Sequence, residues 1–168
     1  MRIFLTGLPG SGKTYLGKLW ADDNGLSFYD LDELIEQEER MTIEKIFAVY
    51  GEDYFREKEA AVLRNTDRFE NCIVACGGGT PCFFDNMEWM NRNGITVFLD
   101  EDRENVMHHL LNDKKIRPLL QGRNTAELRE YLFIQSMERF SFYNRCQITL
   151  LPAQLNRAGF DHIIKNTV

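Results

Sequence analysis

The sequence is poor in residues that staple, bridge or puncture a fold. Four cysteines, three histidines and four prolines are spread over 168 residues. Cys72, Cys76, Cys82 and Cys146 form no Cys-x-x-Cys pair, and His108, His109 and His162 stand at no metal-partner spacing, so a structural zinc site is excluded. A chain of this length needs no disulfide staple, and the cysteines read as reduced, semi-buried side chains in a cytoplasmic compartment. There is no basic excess. Twenty Lys and Arg face 26 Asp and Glu, a net charge of −6, which excludes a dedicated nucleic-acid binder and leaves any anionic substrate to local cations. No apolar run approaches the ~20 residues of a membrane span. Met1–Thr6 is shorter than the ~7–15 residue core of a signal peptide and reads as a buried strand. Repeats, low-complexity tracts and Pro/Gly/Ser linkers are absent, so residues 1–168 are expected to form one domain.

What is present is an alternation of short apolar runs with helical patterns. Strands are expected at Arg2–Thr6, Leu26–Tyr29, Cys72–Cys76, Ile95–Leu99 and Gln147–Leu151. Several are continuous apolar runs, which suits strands covered on both faces. A helix from about Gly12 to Asp23 ends at Asn24-Gly25. Thr42 caps a helix stopped by Gly51, and another runs from about Glu52 to Asn65. Asn93-Gly94 closes a further helix. Glu101-Asp102 opens the next, with Val106, Leu110 and Leu111 inward, and Thr125 caps a helix running to about Phe140. This rhythm implies an α/β fold with a parallel sheet, whose ligands lie beyond the carboxyl ends of the strands.

The residues following those strands carry chemistry. Gly7-Leu8-Pro9-Gly10-Ser11-Gly12-Lys13-Thr14 fits G-x-x-x-x-G-K-[ST] between a strand and a helix. Glycines let backbone N–H groups turn inward around phosphate, and the helix N-terminus adds about half a positive charge. Lys13 can reach the β- and γ-phosphates, and the Thr14 hydroxyl can ligate Mg²⁺. The loop indicates a nucleoside triphosphate. A guanine-selecting Asn-Lys-x-Asp is absent and motor or transport ATPases need more chain, so a small kinase leads.

Asp30 and Asp32 end the second strand. Residues two apart in an extended chain share a face, so both can enter one cleft, one toward Mg²⁺ and one toward an acceptor hydroxyl. Helix capping is the competing use. Glu52, Arg56 and Glu59 share a helical face, as a solvated salt-bridge cluster or a working site. Arg139, before Phe140, Phe142 and Tyr143, is either a stacked surface residue or a buried anion clamp. Gly77-Gly78-Gly79 lets a ligand approach bare backbone, while Thr80-Pro81 reads as cap and first residue of a helix. Lys114, Lys115, Arg117 and Arg123 concentrate positive charge between two helices, either as a lid over phosphates or as a solvated basic loop.

Taken in order, the phosphate loop, Asp30-Leu31-Asp32, Phe55-Arg56 with Glu59, Gly77-Gly78-Gly79, Arg117-Pro118-Leu119-Leu120 and Glu138-Arg139 with Tyr143 resemble the shikimate kinase family over roughly residues 2–150. The resemblance implies a five-stranded parallel sheet in order 2-3-1-4-5 flanked by helices, a substrate-binding segment at about 31–62 and a lid at about 112–124. It implies transfer of the ATP γ-phosphoryl group to the 3-hydroxyl of shikimate, in the route to chorismate and aromatic amino acids. It places Gly10, Ser11, Gly12, Lys13, Thr14, Tyr15 and Arg117 on ATP, and Thr14 and Asp30 on Mg²⁺. Asp32, Arg56, Glu59, Gly77, Gly78, Gly79 and Arg139 fall on shikimate, with Lys13, Asp32 and Arg117 catalytic. ATP and shikimate are the implied partners of a cytoplasmic monomer, with neither nucleic acid nor membrane. Cys146 departs from an alanine usual after Tyr143. Leu151-Pro152-Ala153-Gln154 does not match the family's adenine turn, and the tail after Pro152 is unlike its last helix, so no adenine contact is assigned. Rival readings are a gluconate or nucleoside-monophosphate kinase, which lacks the Phe-Arg-x-x-Glu and triple-glycine pair, and an inactive nucleotide-binding regulatory module, against which the intact Lys13, Thr14, Asp30 and Asp32 count.

Overall fold

The computed structural model of the chain describes residues 1–113 and 118–167. Five strands, β1 (Arg2–Thr6), β2 (Ser27–Asp30), β3 (Cys72–Ala75), β4 (Ile95–Leu99) and β5 (Ile148–Leu150), pair in parallel in the order β2-β3-β1-β4-β5. This is the order implied by the resemblance.

Side-chain alternation along β1 explains the layers. Ile3 and Leu5 face one side with Trp20, Ala21 and Leu16 of α1 (Lys13–Asn24). Phe4 faces the other, against Leu31 and Ile35 of α2 (Leu31–Glu39), Leu63 of α3 (Ile43–Asn65) and Met87 and Met90 of α4 (Asn86–Asn93). Beyond β4, Phe98 packs with Val106 and Met107 of α5 (Arg103–Asn112) and Leu128, Leu132 and Tyr143 of α6 (Thr125–Tyr143). The last helix, α7 (Gly159–Lys165), returns Phe160 and Ile163 onto Trp20 and its neighbours.

The helix break expected at Gly51 is present: Gly51 takes the non-helical φ 81° and ψ 177°, so α3 is two helical stretches meeting at a kink. Other boundaries differ from the sequence expectation. Asn124, not Thr125, caps α6, because its side chain accepts from Glu127 N while the Glu127 carboxylate accepts from Asn124 N. That helix continues to Tyr143, whose ring stacks on Phe98 at 4.8 Å. Leu111 points outward at 57% exposure, whereas Val106 and the half-buried Leu110 pack inward as expected, with Met107 beside them. Helices α2 and α7 were not expected. No helix of the described residues is long and apolar enough to cross a membrane.

Candidate active site

The phosphate loop bridges β1 and α1, held by the Ser11 N–H donating to Leu8 O at 3.1 Å. Gly12, at φ 88° just before α1, occupies the left-handed region that a side chain disfavours, and so turns the loop into the helix. Lys13 is nearly buried, its Nζ donating to Gly7 O and Leu8 O, both at 2.8 Å. Ser11 is buried beneath the loop, whereas Tyr15 is 72% exposed at the rim.

Asp30 and Asp32 do meet in one cleft, but not by strand alternation. Asp30 ends β2 and caps α2, its Oδ1 accepting from Asp32 N at 3.0 Å, and Asp32 lies in the first helical turn. The other oxygen of Asp30 accepts from Thr14 Oγ1 at 2.9 Å. The expected capping and cleft uses of Asp30 therefore coexist. Thr14 and Asp30 form a pair of hard oxygen donors beside the loop, which suits Mg²⁺ that keeps several waters and takes its remaining ligands from phosphates.

Only the Glu52 edge of the Arg56 cluster is solvated. Arg56 is 5% exposed and Glu59 fully buried. Arg56 Nη1 donates to Glu59 Oε2 at 2.9 Å, while Nε and Nη2 donate to Glu52 Oε1 at 3.2 and 3.0 Å. Three of its five N–H groups are thus engaged, leaving two for a ligand. Burial would lower the Arg56 pKa, but Glu59 and Glu52 together raise it above its ordinary value. Burial pushes the Glu59 carboxyl up, with Arg56 and Thr80 pulling it back. Thr80 does not cap a helix as expected. It begins a short 3₁₀ turn, Thr80–Cys82, and its hydroxyl donates to Glu59 Oε1 at 2.6 Å. Gly79 permits this packing, since a Cβ there would lie 2.7 Å from Arg56 Nη2.

Arg139 is 8% exposed, settling the choice between surface and buried settings. Nearby, the Tyr143 hydroxyl donates to Gly78 O at 2.6 Å. Burial raises the Tyr143 pKa, so the phenol stays protonated as a donor. Arg139 Nη1 is buried without a hydrogen-bond partner among the described residues.

Two cavities result. One, of about 340 Å³, is lined by Asp32, Arg56, Glu59, Gly77, Gly78, Gly79 and Arg139, with Phe47, Phe55 and Leu119 supplying apolar wall. The other, of about 570 Å³, is lined by Gly10, Gly12, Lys13, Thr14, Tyr15 and Asp30. They meet at Pro9, Asp32, Gly77 and Gly78. The second cavity also includes His108 and His109, absent from the expected site, and His109 Nδ1 lies 2.8 Å from Gly10 O. No sequence signal marks that contact, which arises where α5 crosses the loop. Arg117, with Lys114 and Lys115, lies outside the described residues.

Comparison with known proteins agrees with this geometry. Residues 9–167 match the family model described as shikimate kinase. A shikimate kinase of Phocaeicola vulgatus is 44% identical over 146 residues, covering 87% of this chain and 83% of the relative. The crystal structure of shikimate kinase from Bacteroides thetaiotaomicron superposes with a TM-score of 0.89 at 39% identity, covering 99% and 96% of the two chains. A shikimate kinase from Acinetobacter baumannii, solved in complex with shikimate, gives 0.84 at 32% identity, covering 98% and 89%.

Proposed function

The chain belongs to the shikimate kinase family, and from that premise we propose that it transfers the γ-phosphoryl group of ATP to the 3-hydroxyl of shikimate, giving shikimate 3-phosphate and ADP. The observation that carries the substrate assignment is the buried, unpartnered Arg139 Nη1 beside an Arg56 with two uncommitted N–H groups. Two guanidinium groups facing one small cavity suit a single carboxylate, and Asp32 with the glycine backbone suits hydroxyls.

ATP phosphates occupy the loop cavity, with Gly10, Ser11 and Gly12 contributing backbone, Tyr15 flanking the rim, and Lys13 exchanging carbonyl partners for phosphate oxygens. Thr14 and Asp30 hold Mg²⁺, which supplies charge neutralisation along the phosphates when bound. Arg56 and Arg139 anchor the shikimate carboxylate, and Glu59 fixes Arg56. Asp32 sits where the cavities meet, oriented to accept the proton of the attacking hydroxyl. That oxygen bonds to the γ-phosphorus as the bond to the β-bridging oxygen breaks, and ADP leaves with the electron pair. Arg117 is assigned to the transferred phosphoryl group on the Arg-Pro-Leu-Leu run alone. The same reading has residues 1–168 acting as one kinase domain, with residues 31–62 as its substrate-binding segment, in a cytoplasmic monomer. Phosphorus NMR of the product tests the assignment: a resonance coupled to the proton on carbon 3 is expected, and coupling to carbon 4 or 5 would contradict it.

A further inference from the structure

The Arg56 guanidinium also lies against two aromatic rings. Its central carbon sits over the Phe83 ring, 4.2 Å from the centroid, and over the Phe55 ring at 5.1 Å. Phe55 belongs to the matched family run, but Phe83 lies in the segment after the triple glycine, outside every motif identified in the sequence. Much of that segment is pinned. Cys82 N–H donates to Gly79 O at 2.9 Å, and Asn86 N–H donates to Phe83 O at 3.2 Å. The fully buried Asn86 side chain donates to Thr80 O at 2.9 Å and accepts from Arg64, which also pairs with Asp85. Between these anchors Phe84 adopts φ 50°, a left-handed conformation that a bulky residue disfavours, while its ring remains 63% exposed. The turn therefore does not serve to bury Phe84. It carries its neighbour Phe83 onto the guanidinium.

We propose that Phe83 is a positioning residue for the substrate carboxylate, holding the Arg56 guanidinium in place on its ring face. Glu52 and Glu59 hold the edges of the guanidinium, and the attraction of its charge to the ring face opposes displacement of its central carbon. The two uncommitted N–H groups are thereby directed before substrate arrives. This rests on the reading that Arg56 binds the shikimate carboxylate.

The test is steady-state kinetics of Phe83→Leu and Phe83→Tyr with shikimate and with its neutral carboxamide. Phe83→Leu should raise KM for shikimate about 3- to 30-fold, the range expected for losing a partly desolvated cation–π contact. Its kcat and its KM for ATP should stay within about twofold, its KM for the carboxamide should barely move, and Phe83→Tyr should recover shikimate binding. A trifluorinated phenylalanine at position 83 weakens the ring face at nearly constant shape, and should raise KM in the same direction even if Phe83→Leu folds poorly. Equal losses in Phe83→Leu and Phe83→Tyr, or no response to fluorination, would overturn the role of Phe83. A parent enzyme that uses shikimate and its carboxamide equally well would instead overturn the carboxylate clamp itself.

Discussion

Arg139→Met separates what this arginine costs the fold from what it does for the substrate. Its unmet buried Nη1 costs the ligand-free protein about 1–3 kcal/mol. Methionine removes that cost and replaces the apolar stem. The variant should gain up to about 3 kcal/mol of stability, so the melting temperature without substrate should hold or rise. Shikimate binding should behave oppositely. Removing one member of a buried, hydrogen-bonded charge pair costs about 2–5 kcal/mol, or roughly 30- to 5,000-fold in Kd. Thermal unfolding with and without shikimate, together with calorimetric titration, reads both quantities. A variant that melts well below the parent and keeps its shikimate affinity would refute the reasoning, because Arg139 would then be a structural residue.

Three further outcomes follow from the same geometry. Asp32→Asn should lower kcat by about 100-fold or more while ADP binding stays near the parent value, as steady-state kinetics and titration would show. Burial pushes the Cys82 thiol up to about 11 against the pull of Arg139 and Arg56, so it stays protonated at neutral pH. Its alkylation, followed by mass spectrometry, should be slow at pH 7.5 and rise about tenfold per pH unit toward 11. Phe84→Gly removes a left-handed strain at an exposed ring and should stabilise by about 0.5–1 kcal/mol, or a few degrees in Tm, with kinetics unchanged.

The central strands β1, β3 and β4 were legible because they are covered on both faces and read as short apolar runs, whereas the edge strands β2 and β5 expose Ser27 and Thr149. The phosphate loop was legible because its glycines, lysine and threonine are contiguous. The two acids share a cleft through a helix cap rather than through strand alternation. Asp30 leaves the strand to cap α2, and a capping aspartate cannot be told from a metal-side aspartate by spacing. Helix α2 itself was overlooked, although Leu31, Leu34 and Ile35 give it an apolar face and Asp30 with Glu33 resembles a cap. The arginines were ambiguous because burial is a tertiary property. Glu52, Arg56 and Glu59 would read identically on a solvated helix, and the loop after β3, packed against Arg56 and Glu59, removes the water from those two while Glu52 stays exposed. Phe83 and His109 carry no local pattern at all. One is brought to Arg56 by the turn after the triple glycine, the other to Gly10 by the crossing of α5.

The central claim is that the two adjoining cavities hold ATP and a small monocarboxylate polyol whose identity is shikimate. ADP release measured with Mg²⁺ and ATP, in parallel with shikimate, gluconate, AMP and no acceptor, tests it most directly. Saturable turnover with shikimate alone, above a negligible rate without acceptor, is the expected result. Turnover only with AMP or gluconate, or none with any acceptor, would contradict the account.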